Sequence, residues 1–194
     1  MTALQRLIPR PQLIDIDRID VDAPATAVWD RIRHGELARS RAVRALFKLR
    51  TVASWRPGDA APSLRIEDLR SSPECPGFQV LVEEAPCELA VGAIGKVWRL
   101  DIPFVHVGDE TSFAAFDQPD FIKVAWAIRV LARGAQQTHV EIEVRVAATD
   151  VRAWRKFRRY FRVIGPFSRF IRRSLLRALA REAAALDRSA PRAA

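Results

Sequence analysis

The last quarter of the chain limits what it can fold into more than any other part. From Val151 to Asp187 one amphipathic pattern continues: Trp154, Phe157, Phe161, Ile164, Ile171, Leu175, Leu179 and Leu186 recur at spacings of three, four or seven. That is the period of a single apolar stripe on a helix, and Thr149 or Asp150 can cap its first turn. A straight helix of this length would run about 55 Å, more than a small sheet can cover. Gly165 and Pro166 stand in the middle of it. On a free helix such a pair is a defect of about 3 kcal/mol or more. On a helix wrapping a curved core it has a use: Pro166 removes the hydrogen bond to the carbonyl of Arg162 and Gly165 relieves crowding, so the helix kinks while the stripe resumes beyond.

The partner of that stripe is legible in the middle of the chain. FQVLVEEA, CELAVGAIGKVWRL, TSFAAF, FIKVAWAIRVL and THVEIEVRVAAT read as strands, with turn chemistry at GDE, DQPD and ARGAQQ. In the two longest, Ile122, Val124, Trp126, Ile128 and Val130 share one face, as do Val140, Ile142, Val144 and Val146; Lys123, Arg129, Glu141 and Glu143 take the other. The expectation is an antiparallel sheet with one side buried and one side wet. Upstream, Leu13–Ala23 alternates apolar and acidic residues but slips phase at Asp17-Arg18, which predicts a bulge or an edge position. Pro24 then opens a short helix with Val28, Trp29 and Ile32 on one face, ending near Gly35. A second helical run covers Glu36–Leu49, and SLRIEDL reads as a strand between two loops rich in Pro, Gly, Ser and Asp.

Strand, two short helices, about six antiparallel strands and one long terminal helix is an order that resembles the START-like, or SRPBCC, superfamily. Three stretches carry the resemblance: IDVDAPATAVWDRI (Ile19 to Ile32), FAAFDQPDFIKVAWAIRV (Phe113 to Val130) and FRRYFRVIGPFSRFIRRSLLRAL in the terminal helix. It implies an α+β helix-grip fold, a curved sheet of six or seven strands around a kinked C-terminal helix with an apolar cavity between them. The expected domain is 13–188, with tails at 1–12 and 189–194. The superfamily includes lipid and sterol carriers, hormone receptors and polyketide cyclases, and a fold does not settle a function.

No catalytic constellation accompanies the fold. His34, His106 and His139 are scattered, and HExxH, GxSxG and a phosphate-binding glycine loop are lacking, so neither a catalytic set, a metal nor a cofactor is expected. GAIG, Gly92 to Gly95, lies inside a strand pattern, where bending or a bulge explains it. Cys75 and Cys87 are too sparse for a disulfide framework or a zinc site and read as reduced thiols. The cavity supplies the candidate ligand contacts, namely Trp98, Phe113, Trp126, Ile142, Trp154, Phe157 and Phe161; Arg99 is placed to meet an anionic head group, and His106 lies at a possible mouth. Each of the apolar ones would serve equally in a filled core.

The leading expectation is therefore binding of a hydrophobic small molecule, whether lipid, polyketide or aromatic. A cyclase-type enzyme in the same cavity is the alternative. The charge distribution adds a third reading. From Asp150 onward there are 13 Lys and Arg against 3 Asp and Glu, whereas the preceding residues hold 19 against 20. Such a basic helix suits a peripheral contact with anionic lipid, with nucleic acid the weaker partner, or simply a solvated face. With the apolar stripe buried, only charge would remain for that contact. No segment has the apolar length of a signal peptide h-region or a membrane span, so a soluble cytoplasmic protein is expected.

Overall fold

The computed structural model describes residues 1–35 and 66–189. In chain order these form α1 (Ala3–Leu7), β1 (Leu13–Val21), α2 (Ala25–His34), a single 3-10 turn (Ile66–Asp68), β2 (Gln79–Glu84), β3 (Glu88–Gly95), β4 (Phe104–Val105), α3 (Glu110–Ala115), β5 (Ile122–Gly134), β6 (Gln137–Ala148) and α4 (Val151–Ser189). The strands make one six-stranded sheet in the order β1-β6-β5-β3-β2, with β4 added to β3, and every pairing is antiparallel. Helix α4 lies across β1, β6 and β5 and meets α2. This is the helix-grip arrangement.

Local chemistry places the ends of these elements. Pro24 precedes α2 as its cap residue and Gly35 closes it, burying Val28, Trp29 and Ile32. The Asp150 carboxylate accepts from the Ala153 N–H at 2.7 Å and so caps α4. Helix α4 then continues through Pro166 without ending. Gly165 is buried there because the Phe161 ring lies over it; a Cβ at this position would stand 2.9 Å from the ring. The expected second helix, Glu36–Leu49, lies outside the described residues.

Several expectations give way to the tertiary structure. TSFAAF is not a strand: the Asp109 carboxylate accepts from the Ser112 N–H and starts the short helix α3. The run CELAVGAIGKVWRL leaves the sheet at Gly95, so Trp98 and Arg99 sit in the turn that follows. Within SLRIEDL, Ile66–Asp68 forms a 3-10 turn, its isoleucine packed under α2. Where a tail was expected, α1 packs Ala3, Leu4 and Leu7, with Ile8 that follows it, against Ala90, Ile94, Ala125 and Ala127.

That packing also overturns the one-sided sheet. The outer face carries its own apolar cluster under α1 and α3, and Glu141 and Glu143, expected in water, are only 5% and 4% exposed. They are accommodated by pairing: Glu141 accepts from Arg18 and Arg129, and Glu143 from Arg129 and Arg145. Gly92 admits this layer. A Cβ there would lie 2.5 Å from Leu81 and 2.9 Å from the Phe113 ring, so the glycine serves close packing between strand and helix.

Of the two expectations for β1, a bulge or an edge position, the structure shows the second: β1 is an edge strand of the sheet. Its register with β6 runs from Leu13 opposite Val146 to Val21 opposite Thr138 without a shift. The phase slip is resolved by turning two aspartates, Asp15 and Asp17, toward α4. A register shift does occur in β2, between Val80 and Val82.

Candidate functional site

The inner face of the sheet is built in rows set by the strand register. Leu13, Val146, Val124 and Ala93 form one row; Asp15, Val144, Trp126 and Val91 the next; Asp17, Ile142, Ile128 and Leu89 the third. Each row therefore runs from the edge strand β1 across the two central strands to β3. Two apolar clusters occupy this face. One joins Val97, Ile122, Val146, Ala153 and Phe157, with Leu13, Trp98, Val124, Val144, Trp154 and Phe161 around it. The other joins Ile128, Val130, Val140, Ile142, Leu89 and Val91 to α2 and Leu176, with Trp126 against it.

Between the two clusters α4 presents a charge. Arg172 is buried, donating to Asp17 from Nε at 2.9 Å and to Asp15 from Nη2, while Arg169 reaches Asp15 at 3.0 Å and Arg173 reaches Asp17 at 2.9 Å. Burial would raise the Asp17 carboxyl, but the hydrogen bonds from Arg173 and Arg172 outweigh it and hold the group below its ordinary value. The clasp fixes α4 over the edge strand at one point in both directions. Two aspartates meet three arginines there, so the clasp carries one net positive charge while each of its arginines is paired.

On the side of the first cluster, α4 carries an aromatic row. Trp154 stacks on Phe157 with centroids 5.5 Å apart, and Phe157 on Phe161 at 5.2 Å. Trp98 closes the end of the row under Lys156, whose Nζ lies 5.1 Å from the indole ring and also pairs with Asp120. A solvent-open cleft of about 480 Å³ runs along this row, walled by Leu13, Trp154, Phe157 and Phe161 and rimmed by arginines that include Arg158 and Arg162. Within the sheet behind it, Val124, Trp126 and Val144 lie in the two central strands and yet are only partly buried. Val124 and Val144 pack against the cluster of the aromatic row and Trp126 against its neighbour, and none of the three is closed off completely.

Of the residues expected from sequence, Trp98, Trp154, Phe157 and Phe161 come together in one cluster, and Trp126 and Ile142 line the same face farther along. The other three do not join them. Phe113 is fully buried on the opposite face of the sheet, under α1. Arg99 is exposed in the turn after β3. His106 is held by Ser71, Oγ to Nδ1 at 3.0 Å, in a loop pair whose serine also accepts from the Gly77 N–H, and neither residue belongs to the wall of the cleft. Sequence reading missed Asp15, Asp17 and Arg172. A signal was present: Arg172 stands eleven residues after Phe161 and four before Leu176, on the buried stripe, in register with two aspartates that break the alternation of β1.

No protein-family model matches the chain, and no curated protein matches it. Among solved structures, a point mutant of norcoclaurine synthase from Thalictrum flavum, in complex with a transition-state analogue, aligns at 10% identity over 90% of this chain and 96% of that one, with a TM-score of 0.43. A conserved protein from Geobacillus kaustophilus aligns at 10% identity over 89% and 95%, TM-score 0.44. A protein from Mycobacterium smegmatis aligns at 14% over 87% and 88%, TM-score 0.42.

Proposed function

We propose that the chain binds a hydrophobic small molecule, a lipid, polyketide or aromatic compound carrying an acidic group, between the sheet and the first half of α4. The observation that carries this reading is the incomplete closure of the inner face at Val124, Trp126 and Val144, beside an aromatic-walled cleft of about 480 Å³. That volume lies within the range of about 300–1,000 Å³ usual for small-molecule sites. The apolar body would lie on Leu13, Phe157 and Phe161, and Arg158 and Arg162 at the rim supply the counter-charge for its acidic end.

Native mass spectrometry of the purified protein, followed by organic extraction, tests this directly. A bound apolar acid should be recovered, or be taken up from a panel of fatty acids and aromatic polyketides, with quenching of tryptophan fluorescence. Phe161→Ala should weaken uptake about tenfold, on the order of 1.4 kcal/mol of lost apolar contact, while leaving the fold intact because Phe161 is only partly buried. An empty protein that takes up nothing from the panel would mean that the cleft is a surface feature of a packed core.

A further inference from the structure

Helix α4 has a second apolar surface that the fold does not use. Val163, Phe167 and Phe170 are 65%, 48% and 57% exposed, and Pro166 between them is exposed too. At 3.6 residues per turn these four positions fall in one sector of the helix, on the side away from Phe157, Phe161 and Arg172. Arginines frame the sector along its length. Arg159 lies one turn before Val163, and Arg162, Arg169, Arg173 and Arg177 line an open cleft of about 600 Å³ beside Pro166 and Phe170, with Asp15 at its floor. Arg169 and Arg173 are held by Asp15 and Asp17, whereas Arg159, Arg162 and Arg177 make no ion pair among the described residues.

We infer that this face of α4 docks on the surface of an anionic phospholipid bilayer, with Val163, Phe167 and Phe170 entering the boundary of the acyl chains and the arginines meeting lipid phosphates. The pattern is that of an interfacial helix, whose binding adds apolar burial to attraction for anionic headgroups. Charge selects the occupant. A second copy of the chain would bring the same arginine frame against itself, which is repulsive, whereas an anionic bilayer complements it. A nucleic acid would use the arginines but has no use for Val163 and Pro166 at the crest. No helix among the described residues is long and apolar enough to cross a membrane, so the contact is one of surface attachment. Pure charge was the expectation from sequence; the exposed phenylalanines change the binding mode, and the inference stands whether or not the aromatic cleft holds a ligand.

Flotation of the full chain with vesicles tests it, using phosphatidylcholine alone and phosphatidylcholine mixed with phosphatidylglycerol. The protein should float with the mixed vesicles only. Phe167→Ser/Phe170→Ser should weaken binding by about tenfold for each phenylalanine, and Arg162→Gln/Arg177→Gln by about fivefold for each arginine, with both variants keeping the wild-type circular dichroism spectrum. Added salt should weaken binding without abolishing it. Absence of flotation at low ionic strength would overturn the proposal, as would wild-type binding by the double serine variant. Two further results would reassign the face: a dimer in sedimentation that the serine variant dissociates, or duplex DNA binding that the glutamine variant loses and the serine variant keeps.

Discussion

Asp17 shows how a single residue carries a stability term that its sequence neighbours conceal. Its carboxylate is nearly buried and held by Arg172 and Arg173. Asp17→Asn should cost about 3 kcal/mol in urea unfolding near neutral pH, because it leaves a buried guanidinium short of counter-charge. The sign of its pH dependence follows from a folded-state pKa below the ordinary 3.8. The contribution is fully present above about pH 5 and is lost as pH falls through the folded value. The gap between wild type and Asp17→Asn should therefore narrow in acid, and a gap that stays constant from neutral to strongly acidic pH would show that Asp17 is not ionised in the clasp. From sequence alone, Asp15 and Asp17 resembled the wet side of an edge strand. Only the crossing of α4 reveals that they point inward.

At the level of elements, α1 is the least legible and among the most integrated. Five residues give too short a window for periodicity, yet Leu4 and Leu7 are at most 1% exposed, and the helix is closed by a capping box between Thr2 and Gln5. Leu7→Ala should destabilise the fold by about 3 kcal/mol by leaving a cavity under α1, measured by urea unfolding; a change below about 0.5 kcal/mol would mean that α1 frays from the sheet in solution. Helix α3 failed for a different reason. TSFAAF alternates well enough for a strand, but the Asp109 cap and the space at Gly92 together draw Phe113 into a helical turn. Long elements were far easier: β5, β6 and α4 each repeat their period often enough for the pattern to dominate any local preference.

For the molecule as a whole, the sheet separates two cores. Leu7 belongs to the outer one with Phe113, and Phe157 to the inner one with Trp154 and Phe161. Layers on either side of a sheet stand about 10 Å away from it, so the two sites share no contacts. The costs of Leu7→Ala and Phe157→Ala should then add to within about 0.5 kcal/mol in a double-mutant cycle. Marked coupling would mean that the sheet transmits strain between its faces, and it would link α1 to the aromatic cleft. The same division explains why α4 can carry two separate surfaces, one gripping the sheet and one facing away from it.

By itself the sequence determined the order of the long elements, the antiparallel pairing, the apolar face of β5 and β6 and the aromatic row Trp154, Phe157 and Phe161. These follow from repeated period, which is a property of the chain read along its length. Tertiary structure decided what lies across from what: that the face of Glu141 and Glu143 is covered, that Phe113 belongs to the other core, that Arg172 replaces an apolar residue in the buried stripe because two aspartates await it, and that Val163, Phe167 and Phe170 remain outside. Period fixes which residues share a face, but burial depends on whether another element reaches that face, and that is set by contacts between residues far apart in the chain.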